Sequence, residues 1–204
     1  IEKFIYFTRG TEEDNSGVLD TKWNNYTFYS YGGNDMVTLA EGFDNVYINL
    51  GLGDDFFKGN TGSDAIFGED GEDLIYGGEG KDVLDGGDDN DKIYGDVGSD
   101  LIFGGDGDDS ITGGMDDDFI DGGNGLNDVA YYSANRNEYL ITNDKNLLTV
   151  KHQKVSGDGI DTLVNIESLV FADLTINTSN IYSAEAFSII PFVDDGIASF
   201  SING

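Results

Sequence analysis

Gly77-Gly78-Glu79-Gly80-Lys81-Asp82-Val83-Leu84-Asp85 is the stretch whose reading decides the fold of this chain. It is one of nine copies of a nine-residue unit running from Leu50 to Ala130. Stepping by nine from Asp55 lands on Asp64, Asp73, Asp82, Asp91, Asp100, Asp109 and Asp118, then on Asn127. Two residues after each stands an apolar side chain: Phe57, Ile66, Ile75, Leu84, Ile93, Ile102, Ile111, Ile120 and Val129. The first position of the unit is Gly in every copy except Leu50. The fourth is Gly at 53, 62, 71, 80, 98, 107 and 125, and Asp at 89 and 116.

A period of nine suits neither an α-helix nor a long strand. Six residues rich in Gly and Asp form a turn, since Gly reaches positive φ without steric cost. Three residues then form a short strand whose middle side chain points inward. Two such units make a coil of 18 residues, with turns stacked along two edges. Asp55, Asp73, Asp91 and Asp109 fall on one edge, and Asp64, Asp82, Asp100 and Asp118 on the other. Carboxylates stacked at a strand spacing of about 4.8 Å repel one another, so a cation is required between them. A hard cation accepting carboxylate and carbonyl oxygens fits, which points to Ca²⁺; Mg²⁺ fits less well because it demands near-ideal octahedral geometry. The charge agrees: residues 50–130 hold 20 Asp, 3 Glu and 3 Lys, so they carry most of the chain's net −30.

These residues resemble the repeats-in-toxin (RTX) family, whose G-G-x-G-x-D-x-U-x units form a calcium β-roll. The resemblance implies an all-β, right-handed parallel β-roll (a β-solenoid), with each Ca²⁺ between turns one coil apart. It also implies the ligands: carbonyls of positions two and four with the Asp of one turn, and carbonyls of positions one and three with the Asp of the next. Carried onto this chain, that gives about seven ions. Gly51, Gly53 and Asp55 face Gly68, Asp70 and Asp73. Asn60, Gly62 and Asp64 face Gly77, Glu79 and Asp82, while Glu69, Gly71 and Asp73 face Gly86, Asp88 and Asp91. Gly78, Gly80 and Asp82 face Gly95, Val97 and Asp100; Gly87, Asp89 and Asp91 face Gly104, Asp106 and Asp109. Asp96, Gly98 and Asp100 face Gly113, Met115 and Asp118, and Gly105, Gly107 and Asp109 face Gly122, Asn124 and Asn127. Asn127 removes one carboxylate, so this last pair is expected to be weakest. Without metal, so acidic a segment is expected to be disordered.

Residues 1–31 are rich in aromatics and lack the unit. Phe4-Ile5-Tyr6-Phe7-Thr8 reads as a strand, and the cluster around Trp23 as a cap on the open solenoid end. Residues 32–49 keep Asp35 and Asp44 two residues before an apolar side chain, with two extra residues assigned to Tyr47–Leu50; sites at Asp35/Asp55 and Asp44/Asp64 are candidates. Outward positions carry Phe56, Leu74, Tyr76 and Tyr94 on one sheet, and Ala65, Phe67, Val83, Leu101, Phe103 and Phe119 on the other. That surface is read as covered by flanking segments, with an interface as the alternative. Tyr139–Thr142 and Leu147–Val150 read as a β-hairpin, and residues 131–177 as a C-terminal β cap. Asp158, Asp161 and Asp173 read as turn formers, with another ion site as the sharper alternative. Residues 178–204 read as a linker, and Phe200–Gly204 resembles the first strand of an immunoglobulin-like repeat.

No cysteine is present, so disulfides and thiolate metal sites are excluded. No apolar run is long enough to span a membrane, and the acidity disfavours nucleic acid and anionic membranes as partners. His152, the sole histidine, reads as a surface residue; there is no H-E-x-x-H and no P-loop. Positions three and five carry no Thr ladder, which sets aside an ice-binding surface. The start at Ile1 reads as a piece of a larger polypeptide. The expected function is therefore non-enzymatic: an extracellular, calcium-dependent structural module of an adhesin or surface-layer type protein exported by type I secretion. Its partners are calcium, neighbouring domains of the same chain and, through the outward faces, other copies. The alternatives are an accessory β-roll of a secreted polysaccharide-modifying enzyme or protease, and glycan binding by the N-terminal aromatics.

Overall fold

The computed structural model describes residues 3–6, 16–19, 26–40, 45–145, 147–154 and 157–182. Among the described residues nineteen short strands stack into two sheets that face each other across a row of core side chains from each. In chain order the strands are β1 (Lys3–Tyr6), β2 (Ser16–Leu19), β3 (Tyr26–Tyr29), β4 (Met36–Leu39), β5 (Tyr47–Leu52), β6 (Phe56–Lys58), β7 (Ala65–Asp70), β8 (Leu74–Glu79), β9 (Val83–Asp88) and β10 (Lys92–Val97). They continue as β11 (Leu101–Asp106), β12 (Ser110–Met115), β13 (Phe119–Asn124), β14 (Val129–Tyr131), β15 (Tyr139–Asp144), β16 (Leu147–His152), β17 (Ile160–Val164), β18 (Ser168–Val170) and β19 (Thr175–Asn177). Odd-numbered strands β1 to β13, then β17, β16 and β15, form one sheet; β2 to β14 by even numbers, then β18 and β19, form the other. From β1 to β14 every pairing is parallel, so successive strands alternate between sheets and the chain winds as a β-solenoid.

The period of nine creates this directly. Ile75, Ile93 and Ile111 stand in register on one sheet, and Ile66, Leu84, Ile102 and Ile120 on the other. All are at most 1 % exposed. The strands are longer than the three residues expected: β7 to β13 have six each. Identical turns stacked in parallel let positions two and three keep pairing one coil on, as Glu69 does with Gly87 and Asp70 with Asp88.

Three registers differ from the sequence reading. Ala130, not Val129, is the buried residue of the ninth unit, because one extra residue lies in the turn before it. Tyr47 pairs with Ala65, so Val46, not Asp44, occupies the position of Asp64 one coil back; the two extra residues precede Val46 instead of lengthening β5. Asp44 itself lies outside the described residues. At the far end the solenoid does not stop at Ala130: β17 pairs in parallel with β13 and β18 with β14, adding a further coil after the antiparallel hairpin β15–β16 has been inserted.

Of the segment expected to cap the N-terminal end, β1, β2 and β3 continue the two ladders coil on coil; Trp23 and Phe7-Thr8 lie outside the described residues, as do Phe200–Gly204. The described flanking strands extend the sheets at their ends and do not lie over their faces. The outward aromatics instead pack on one another along the coils: Tyr76 stacks on Tyr94 at 4.6 Å with rings 7° apart, and Tyr47 sits 5.1 Å from Phe67. His152 is a buried residue, not a surface one: its ring stacks on Tyr139 at 4.6 Å and its Nδ1 accepts from the Asp158 amide at 3.2 Å.

Candidate metal centres

Each turn places its position-six Asp inside the protein. Asp55, Asp73, Asp82, Asp91, Asp100, Asp109 and Asp118 are all 3 % exposed or less. Their two oxygens do different work. Oδ1 accepts from the backbone amide of the equivalent Asp one coil earlier: Asp55 to Asp73 at 2.7 Å, Asp82 to Asp100 at 2.8 Å, Asp91 to Asp109 at 2.8 Å. Oδ2 of Asp55, Asp73, Asp82, Asp91, Asp100, Asp109 and Asp118 is buried with no hydrogen-bond partner. Such an atom forfeits its hydration for nothing unless something cationic meets it.

The surroundings of that atom show at the first-position glycines. A Cβ built on Gly68 would lie 2.1 Å from Asp73 Oδ2 and 2.2 Å from the carbonyl oxygen of Gly86, one coil on. The same cradle recurs at Gly77 (Asp82 Oδ2 and Gly95 O), Gly86 (Asp91 and Gly104), Gly95 (Asp100 and Gly113) and Gly104 (Asp109 and Gly122). A side chain at position one would fill the space that a carboxylate and a carbonyl jointly face. Glycine is needed there for room; the positive φ that the turn requires falls at positions two and four, as at Gly78 (φ 107°) and Gly80 (φ 156°).

The remaining residues implied as ligands sit in the stacked turns. Position-three carbonyls line up one coil apart and accept from position-four amides: Asp70 from Gly53 at 2.7 Å, Asp88 from Gly71 at 3.1 Å, Val97 from Gly80 at 2.7 Å and Met115 from Gly98 at 3.1 Å. A carbonyl has a second lone pair, so it keeps capacity for a cation. Asn60, Glu69, Asp89 and Asp96 replace glycine at positions two and four; Glu69, Asp89 and Asp96 still take the left-handed conformation, at φ 79°, 81° and 71°. The oxygens that each turn offers are thus one unpartnered carboxylate oxygen and backbone carbonyls. Accordingly no three His, Cys, Asp or Glu side chains converge as a metal cluster among the described residues. A hard-oxygen set of this kind suits Ca²⁺.

One expected pair is corrected. Asn127 is not the last position-six residue: its side chain is exposed and donates to Asp108 at 2.9 Å. Asp128 takes the place, wholly buried, with Oδ1 accepting from Asp109 at 2.8 Å. The last pair therefore keeps its carboxylate. At the other end Val46 donates to Asp64 Oδ1 at 3.0 Å, from a position that has no carboxylate of its own; Asp44, of the candidate Asp44/Asp64 pair, lies outside the described residues. Asp35 does join the ladder, donating to Asp55 Oδ1 at 2.6 Å. Of the later acids, Asp158 and Asp173 tie turns together, accepting from Ser133 Oγ at 3.2 Å and from the Arg136 amide at 2.7 Å. Asp161 belongs to the ladder and not to a turn, accepting from the Asp118 amide at 3.1 Å.

Burial drives these carboxyl groups up from an ordinary 3.8, with neighbouring carboxylates adding to it and the Oδ1 hydrogen bonds opposing it. Asp55, Asp91 and Asp118 are pushed to about 8, and Asp73 and Asp82 to about 7. Each therefore calls for a positive charge at neutral pH, as a proton or as a metal ion.

A family model described as the RTX calcium-binding nonapeptide repeat matches in four copies, at residues 49–84, 58–93, 67–102 and 94–129. RTX nonapeptide repeats bind calcium, and the matched residues are those that build the cradles. A search of curated proteins returned no match. No helix among the described residues is long and apolar enough to cross a membrane.

Proposed function

We propose, taking residues 49–129 as the array of RTX calcium-binding nonapeptide repeats that they are, that this chain is a folding-on-calcium spacer of a secreted cell-surface protein. The observation that carries the proposal is the ladder of buried Oδ2 atoms, which at Asp73, Asp82, Asp91, Asp100 and Asp109 lie beside the carbonyl of a glycine one coil on. Positions one to four and six of each turn are occupied in holding a cation between coils, which leaves no turn shaped for substrate. The residues implied as ligands, from Gly51 to Asp118 with Asp128 closing the series, bring about seven ions to the regular repeats.

The chain's own residues supply the switch. Where Ca²⁺ is scarce, as in cytoplasm, rows of acidic turns repel and their buried carboxyls oppose folding. Where Ca²⁺ is on the order of millimolar, the carboxylates and carbonyls of neighbouring turns share a ligand, and binding free energy becomes folding free energy. Sites of about 10⁻⁴–10⁻³ M suffice for this. Such a module crosses an export channel unfolded and becomes rigid outside, as a surface adhesin or surface-layer protein requires. Supporting this over an enzyme accessory role are the outward aromatics, Phe56, Tyr76 and Tyr94 in a row on one sheet and the pairs Tyr47–Phe67 and Phe103–Phe119 on the other, which suit contact with further copies or domains.

A calcium titration followed jointly by far-UV circular dichroism and light scattering tests this. A coil-to-β transition on adding Ca²⁺ is expected. A full β spectrum in excess chelator at neutral pH overturns the proposal. A transition that remains monomeric assigns a spacer, and one accompanied by ordered assembly assigns the aromatic faces as interfaces.

A further inference from the structure

Asn124-Gly125 is the one Asn-Gly pair among the described residues, and it stands where the roll loses a neighbour. Gly105 and Asp106 pair in register on both flanks, with Gly87 and Asp88 on one side and Gly123 and Asn124 on the other. Gly123 and Asn124 pair on one flank only, because β17 pairs with β13 at Phe119–Asp121 alone. The returning turn is cut to Asn165, Ile166 and Glu167 before β18, with Glu167 accepting from the Asp128 amide at 2.9 Å. Opening the turn 123–127 therefore disturbs a single neighbouring coil, which makes it the least costly turn of the regular repeats to open.

The pair is also chemically accessible there. Asn124 is exposed, and Leu126 close by is 83 % exposed. The Gly53, Gly71, Gly80 and Gly98 amides, at the same position of earlier turns, each donate to a carbonyl one coil on. The Gly125 amide donates to no acceptor among the described residues. No bulkier residue could shield it, since a Cβ at 125 would lie 2.2 Å from the Gly107 carbonyl oxygen. Asn124 Nδ2 donates to Asp106 Oδ1 at 2.8 Å. Asn124 is thus the neutral end of a column that runs Asp70, Asp88, Asp106 in register.

We infer that Asn124 is a site of spontaneous deamidation, gated by opening of the last repeat turn. The Gly125 nitrogen attacks Asn124 Cγ and a C–N bond forms. The Cγ–Nδ2 bond breaks, and Nδ2 leaves as ammonia, carrying the proton that the Gly125 nitrogen gave up. The five-membered succinimide then takes up one water and opens at either carbonyl, giving aspartate or isoaspartate. Both products put a carboxylate where an amide donated to Asp106, and like charges directly opposite one another are destabilising. Isoaspartate also adds a methylene to the main chain of the turn. The reaction is therefore a one-way loosening of the end of the repeats. While the turn is shut, the pairing with Asp106 and the Nδ2 hydrogen bond fix backbone and side chain, so ring closure proceeds from the open turn. The site stands on the geometry of the roll; only its dependence on Ca²⁺ rests on the calcium reading above.

The test is peptide mapping by mass spectrometry of the full chain, aged at mildly alkaline pH in Ca²⁺ and in chelator, with isoaspartate told from aspartate by electron-transfer fragmentation. Asn124 is expected to convert ahead of every other described asparagine, and about tenfold or more slowly in Ca²⁺ than in chelator. Asn124→Asp, which carries the charge of the product, should lose exchange protection at Gly123–Asn127 with that of Gly95–Asp100 unchanged. Earlier conversion of another described asparagine overturns the site. Equal rates in the two conditions, in a chain whose circular dichroism shows the calcium transition, overturn the gating. Unchanged protection in Asn124→Asp overturns the loosening. A chain that shows no calcium transition yet converts first at Asn124 removes the calcium reading and keeps the site, which separates the two failures.

Discussion

The repeats and the segment that follows them hold their strands together by opposite means. Between Ala65 and Asn124 each half-coil buries one aliphatic side chain and one carboxylate. Between Tyr132 and Phe171 the interior is an ordinary cluster: Ile141, Leu148, Val150 and Leu163 lie beside Tyr132, Tyr139 and Phe171, whose rings are 5.1 to 5.3 Å apart. Burying an Ile or Leu stabilises by roughly 1.5–3 kcal/mol. A carboxyl raised from 3.8 to about 8 has to be held protonated or desolvated at neutral pH, at a cost of roughly 4 kcal/mol. In the roll, a carboxyl raised to about 8 makes the second effect the larger at neutral pH, while for one raised to about 6 the two are comparable. The segment after it carries no such debt except at Asp161, pushed up to about 9 chiefly by burial and then by Asp118.

The largest effect expected from that contrast is regional. In excess chelator at pH 7.5, amides of Ala65–Asp106 should exchange at near-random-coil rates, while those of β15 and β16 retain measurable protection from the antiparallel pairing of Tyr139–Asp144 with Leu147–His152. Hydrogen exchange with and without Ca²⁺ checks it. Equal loss of protection in both regions would show that the aromatic cluster has no stability apart from the roll.

Acid should mimic the metal in part. The position-six carboxyls have raised values in the folded roll, about 6 at Asp100 and Asp109 and about 8 at Asp55, Asp91 and Asp118, against 3.8 ordinarily. The folded state therefore binds more protons than the unfolded one. Its stability is fully present below about pH 4 and is lost as pH rises through 6 to 8. Protonated Oδ2 can donate to the facing glycine carbonyl, across the cradle. In chelator, β signal by circular dichroism should grow as pH falls from 8 towards 4, and calcium affinity should fall over the same range. A chelated chain that gains β structure on alkalinisation would contradict the placement of these carboxyls.

How much of this could be read in the sequence follows from what fixes each register. The Asp column from Asp55 to Asp118 and the core column from Phe57 to Ile120 were legible because nothing interrupts the spacing of nine there. Asp128 was not. The one-residue insertion leaves Asn127 with Val129 and Asp128 with Ala130 as equally good frames, and hydrogen bonds to Asp109 decide between them. Val46 was missed for the same reason, since Asp44 satisfied the local pattern while the pairing of Tyr47 with Ala65 set the true one. Asp161 and Glu167 did leave a trace. Each precedes an apolar residue by two, Leu163 and Leu169, but they lie 43 and 39 residues from the partners that define them. His152 gave no sign of burial, because its cover comes from Tyr139 and the turn at Asp158.

The smallest effect separates turn shape from turn charge. Asp96 stands at position two, where Gly78, Gly87, Gly105 and Gly114 take φ between 107° and 117° and Asp96 is held at 71°. A non-glycine residue in the left-handed region costs about 1–2 kcal/mol, and glycine's greater freedom in the unfolded chain returns about 0.5–1 kcal/mol of that. Asp96 also raises Asp82 and Asp100 through its charge. Asp96→Gly should therefore stabilise the calcium-loaded roll by about 0.5–1 kcal/mol in chemical denaturation. At sub-saturating Ca²⁺ the gain should be larger, because there the charge of Asp96 adds to the repulsion between unscreened carboxylates. A gain equal in both conditions would assign the whole effect to backbone strain. A loss in Ca²⁺ would mean that the Asp96 carboxylate itself helps to hold the ion.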